Sequence, residues 1–91
     1  MADFMIIGYR NPEAIREAIV RQYGNNHYQF TESSWFISDV GTTKGVLDKL
    51  GLAGGALGAQ AVIVKYDAYS GYGPSAAWKW LAQNSTAVSN G

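Results

Sequence analysis

The residues with the clearest chemical potential stand where the first apolar run ends, in Phe4-Met5-Ile6-Ile7-Gly8-Tyr9-Arg10-Asn11-Pro12. A guanidinium at the start of a helix can hold a phosphate or carboxylate, helped by exposed backbone N–H groups and the helix dipole. Arg10 and Asn11 are the candidates for that role. The plainer alternative makes Asn11 the helix cap and Arg10 a solvated rim residue. It carries more weight, because capped helix starts far outnumber ligand sites. A second set, Lys65 with Tyr69 and Tyr72, puts a cation near aromatic rings, a combination that stacks single-stranded bases. Those rings equally suit a core or a subunit contact. His27, the only histidine, could serve as acid or base beside Asp39 or Asp67, although such a residue more often occupies the exposed face of an edge strand. Gly51, Gly54, Gly55 and Gly58 match a phosphate-cradling loop only in composition. No Gly-x-Gly-x-x-Gly is present, no Gly-Lys-Ser/Thr follows, and the stretch precedes a strand instead of opening a helix. A flexible connection, as a hinge or lid, is the better reading.

The composition removes several chemistries. There is no cysteine, hence no disulfide, thiolate metal site or thiol nucleophile, and one histidine rules out a multi-histidine site within a subunit. No metal and no cofactor are expected. Seven basic and seven acidic residues cancel, and the pI is about 6.5. That balance argues against a mainly electrostatic nucleic-acid binder while leaving a local basic patch open. At 91 residues, 47% apolar and 15% charged, the chain suits one globular domain. Residues 1–83 should fold, and the polar end, 84–91, should fray. Met1-Ala2-Asp3 does not open a signal peptide, and Gly51 to Val64 is too short and glycine-rich to span a bilayer. A soluble cytoplasmic protein without a membrane partner is expected.

The elements follow from hydrophobic period and punctuation. Residues 3–10 read as a strand with both alternating sets apolar. Asn11-Pro12 opens a helix carrying Ile15, Ala18, Ile19 and Tyr23 on one stripe, with Gly24 as its stop and Glu17 and Arg21 spaced for an ion pair. His27 to Thr31 and Trp35 to Val40 read as a hairpin around Glu32-Ser33-Ser34. Trp35 is expected to be structural. A short helix opened by Gly41-Thr42-Thr43 carries Val46, Leu47 and Leu50, and Ala59 to Tyr66 is the last strand. A turn at 69–74 precedes a short helix from Ser75 to Gln83. The order predicts an α+β, ferredoxin-like βαββαβ sandwich: a four-stranded antiparallel sheet, two helices on one face and a short C-terminal helix.

Three stretches, Gly8-Tyr9-Arg10-Asn11-Pro12, Glu32-Ser33-Ser34-Trp35-Phe36-Ile37, and Gly71-Tyr72-Gly73 with Trp80-Leu81, resemble a known group. They are similar to motifs of small ferredoxin-like proteins related to the CRISPR-associated spacer-acquisition subunit, among them the SinR-like and VapD-like relatives. The resemblance implies a homodimer. For nuclease members it implies a divalent metal held between paired aspartates at the end of the first strand. Here that position is Arg10, whose guanidinium repels a cation. A twofold contact is also expected from the residues themselves, because an apolar, helix-free sheet face is unusual on a monomer. Met5, Ile7, Ala61, Ile63 and Tyr66 are its candidates. The expected function is a non-enzymatic homodimeric binding or scaffold protein that contacts nucleic acid or a protein partner. The alternatives are a metal-dependent endonuclease of the same family, a cofactor-free enzyme of the dimeric α+β-barrel type with a pocket near His27 or Trp35, and a phage-encoded inhibitor of a defence complex.

Overall fold

A strand that is apolar on both sides calls for cover on both faces, and the first strand takes one of the two interior places in the sheet. The computed structural model describes residues 1–55, 57–84 and 88–89. In it, β1 (Ala2–Arg10) lies between β3 (Ser34–Asp39) and β4 (Gln60–Tyr66), with β2 (His27–Thr31) outside β3. All three pairings are antiparallel. Each strand–helix–strand half is split by a strand of the other half, which makes the fold a ferredoxin-like sandwich.

α1 (Pro12–Tyr23) and α2 (Thr43–Lys49) cover one face. Pro12 opens α1 where its missing N–H costs nothing, and Gly24 ends it at φ 55°, donating its N–H to the Val20 carbonyl at 2.9 Å. Asn11 does not cap the helix as expected. It adopts the left-handed conformation (φ 55°, ψ 61°) and its side chain makes no capping bond, a geometry asparagine tolerates better than most residues. The expected Glu17–Arg21 pair is replaced by an exposed Glu13–Arg16 contact at 3.8 Å, which contributes little. α2 is capped by Thr42, whose hydroxyl accepts the Gly45 N–H at 3.0 Å.

The core lies between these helices and the even-numbered residues of β1. Phe4, Ile6, Trp35 and Ile37 meet Ile15, Ala18, Ile19, Val46 and Leu50, all buried. Trp35 is structural, as expected. Its Nε1 has no hydrogen-bond partner among the described residues, a penalty of about 1–3 kcal/mol that burial of the indole offsets. Gly8 makes the close approach possible. A Cβ there would lie 3.1 Å from Ile15 Cδ1, 3.2 Å from the Ser33 carbonyl oxygen and 3.4 Å from Trp35 Cζ3. The Ser33 carbonyl cannot retreat freely, because it accepts the Gly8 N–H at 2.6 Å.

The second sheet face is only half free of helix. α3 (Ser75–Asn84) crosses it above β2 and β3, burying Ala77 and Leu81 and setting Trp80 6.3 Å from the Tyr28 ring. Ser38 Oγ lies 3.0 Å from Asp3 Oδ1 and 2.8 Å from the Asn84 carbonyl oxygen, sharing its one proton where α3 ends. Two parts of the tail expected to fray are described. Asn84 belongs to α3, and Val88–Ser89 forms a short strand, β6, parallel to β5 (Ala68–Tyr69). Residues 85–87 and 90–91 lie outside the described residues. Among the described residues no helix is long and apolar enough to cross a membrane.

A Gly8→Ala variant should lose about 1–3 kcal/mol of stability through overpacking. Thermal or denaturant unfolding would show this as a lowered midpoint at unchanged fold.

Candidate functional site

Register decides which side chains share a face, since directly opposed residues of antiparallel strands project to the same side. Ala61 pairs with Gly8 and Ile63 with Ile6. Both therefore face the helices, and both pack against the main core. This corrects their expected place on the helix-free face. β4 is apolar in both alternating sets, so composition could not choose between them. Val62 and Val64, paired with Ile7 and Met5, are the residues on the second face.

The five ligand candidates are not brought together. Lys65 pairs with Phe4, which is wholly buried under the helices, so its stem leaves the edge strand on the helix side. Tyr69 and Tyr72 border a groove on the other face. The cation-plus-rings arrangement for stacking bases is not assembled. Arg10 stands at the far end of β1, across an irregular register from Gln60, exposed and with no side-chain hydrogen bond or ion pair among the described residues. Six strand residues, roughly 20 Å, separate it from the rung that holds Lys65. Asn11 Nδ2 donates to the Leu57 carbonyl at 3.3 Å, tying the glycine-rich loop to the start of α1. That loop carries a 3₁₀ turn at Ala53–Gly55, and its glycines adopt positive φ.

His27 has a local role. Its Nδ1 sits 2.5 Å from the Gly24 carbonyl, closing the turn between α1 and β2. Asp39 is engaged elsewhere, in a cluster that joins α1, β3 and α2. Its Oδ2 accepts the Tyr23 hydroxyl at 2.8 Å and Lys49 Nζ at 2.7 Å, and its Oδ1 accepts the Val40 N–H at 2.6 Å. Burial alone would raise the Asp39 pKa. The hydrogen bonds from Lys49, Tyr23 and Val40, with the Lys49 charge, outweigh it and hold the carboxyl below its ordinary value. Burial, the bond to Asp39 and that negative charge push the Tyr23 hydroxyl well above its usual range. It stays a proton donor at every physiological pH. The cluster is a clamp between elements. Among the described residues no group of three histidine or acidic side chains could hold a metal ion.

One concave feature, walled largely by aromatic rings, is one the sequence pointed to only in part. Between α3, the 66–73 segment and the Met5–Val64 rung lies an apolar groove of about 320 Å³. Tyr69 and Tyr72 were legible as candidates, whereas Phe30, Phe36 and Trp78 were not singled out. Tyr66, a candidate for a subunit contact, lines this groove and meets Phe36 edge-on at 6.1 Å. Gly71 and Gly73 rest on the Trp78 indole, where a Cβ would sit 3.6 and 3.4 Å from the ring. The Gly-x-Gly spacing beside a tryptophan was the signal that could have located this wall.

Beside the groove, α3 leaves a strip uncovered. Along β1, exposure on this face rises from Asp3 at 2% to Ile7 at 41%, β4 adds Val62 at 56% and Val64 at 41%, and Tyr9, at the register shift beyond Gly8, is 77% exposed. No protein-family model matches the chain. No curated protein matches it in sequence.

The Asp39 clamp sets a pH dependence. A carboxyl with a depressed folded pKa contributes stability that is fully present above its unfolded value, near 4, and is lost as pH falls through the folded value. Asp39→Asn should therefore cost about 1.5–3 kcal/mol at pH 7, and its deficit against the parent should shrink below about pH 4. Denaturant unfolding across pH 2–7 would check both the size and the direction.

Proposed function

We propose that this chain is a non-enzymatic binding or scaffold protein that works as a homodimer, akin to the small ferredoxin-like proteins its motifs resemble. The observation that carries the reading is the uncovered strip of Ile7, Tyr9, Val62 and Val64. Ile7, Val62 and Val64 adjoin on one strand pair, Tyr9 follows at the register shift, and such an apolar strip suits a sheet from a second copy. A protein surface fits it better than nucleic acid, because Arg10 and Lys65 lie on separate parts of the molecule and form no basic track. Arg10 at the family's metal-binding position favours binding over nuclease chemistry.

In a twofold contact each residue is used twice, so a single charge becomes two like charges across the axis. Val62→Lys should weaken association by about 3 kcal/mol or more, roughly a hundredfold in dissociation constant. Glu13→Lys on the outer face of α1 should leave it unchanged. Sedimentation or light scattering of the parent protein gives the first answer, and a monomer at high micromolar concentration would remove the proposal.

Incubation with labelled RNA and DNA in magnesium or manganese should give no cleavage. Cutting by purified protein that chelation abolishes would overturn the non-enzymatic reading.

A further inference from the structure

The groove beneath α3 adjoins the strip at Val64 but is built within a single copy. Its volume of about 320 Å³ falls at the small end of small-molecule sites, roughly 300–1,000 Å³. We propose that it binds an uncharged, flat aromatic molecule of one or two fused rings.

The walls are ring surfaces set at contrasting angles. Tyr66 meets Phe36 at an interplanar angle of 72° and Tyr69 at 88°, while Tyr69 lies nearly parallel to Trp78, at 6°. A planar guest therefore finds both faces and edges, the two arrangements aromatic pairs favour. A flexible aliphatic chain would gain less from such geometry and would lose more rotamer freedom on entry.

Charge completes the selection. Among the described residues no aspartate, glutamate, lysine, arginine or histidine lines the groove. A charged guest would lose its hydration with no ionic partner to replace it, a penalty large enough to exclude it. Ser70 supplies a hydroxyl at the margin, enough to orient one polar substituent.

The mouth has its own ring. Tyr72 borders the groove yet is fully exposed. It stands on the turn whose neighbouring glycines are braced against Trp78. An aromatic ring held at the rim by a braced turn can fold over a bound guest without disturbing the core. Because Tyr72 packs on nothing in the free protein, its removal tests binding without threatening the fold.

Indole and 2-naphthol are suitable probes, followed by protein NMR shifts or by calorimetry, with indole-3-acetate as the charged comparison. Both neutral probes should bind saturably, with dissociation constants below about 1 mM for so few atoms. Tyr72→Ala should weaken them roughly three- to tenfold, the worth of one aromatic contact. Val20→Ala, an exposed apolar truncation on α1, should change nothing. Binding should persist in monomeric Val62→Lys protein, which separates this inference from the dimer. Absence of saturable binding, equal weakening by Val20→Ala, loss of binding in the monomer, or indole-3-acetate binding as tightly as indole would each overturn the proposal.

Discussion

β1 is apolar on both sides, and the rest of the molecule is arranged to cover it. On the helix side the cover is complete. Phe4 and Ile6 are wholly buried, and Gly8 lets Ile15 and Trp35 close over the end of the strand. A side chain at position 8 would hold α1 away from the sheet, so the smallest residue sits where two layers press hardest. On the second face the cover is a single helix of ten residues, too narrow for four strands. It lies over β2 and β3, and β1 marks the boundary between dry and wet halves. The exposure gradient from Asp3 to Tyr9 records that boundary along one strand.

The two-sided apolar pattern was legible in the sequence, and so were the element order and the ferredoxin-like sandwich. What the pattern could not supply was a face for β4. Val62 and Val64 are as apolar as Ala61 and Ile63, and a one-residue change of register would exchange the two sets. Only pairing with β1 resolves the choice, and it is a long-range fact. The second face was misjudged for a related reason. Ser75 to Gln83 reads as a short terminal helix, but nothing local states which surface that helix meets. Asn11 failed in the opposite direction. Its capping preference is strong on average, but the chain must turn sharply between β1 and α1, and the left-handed conformation at Asn11 makes that turn.

The polar residues follow the same logic. Asp39 and Asp3 are both nearly buried, and each is held at the boundary between layers. Asp39 collects Tyr23 and Lys49 from the two helices that flank β3. Asp3 meets Ser38, which in turn reaches the last carbonyl of α3. Such bonds carry direction that apolar packing lacks, so they fix how the helices end relative to the strands. Residues that looked free for chemistry in the sequence are thereby occupied. His27, which closes a turn against Gly24, belongs with them.

The groove and the strip meet at one rung, Met5 opposite Val64. Val64 contributes to both, so a guest in the groove and a second copy on the strip would press on the same side chain. Where two binding events share a contact, each must alter the affinity of the other by the same factor. The sign follows from the packing. A guest that fixes Met5 and Val64 in one rotamer removes side-chain entropy that the second copy would otherwise have to remove. Association should then be favoured, unless the guest protrudes past the rung and props the two sheets apart. A one-ring guest is short enough to stay beneath Tyr72, whereas a larger one must extend toward the strip. The size of the bound molecule would thus decide whether the two sites reinforce or oppose each other.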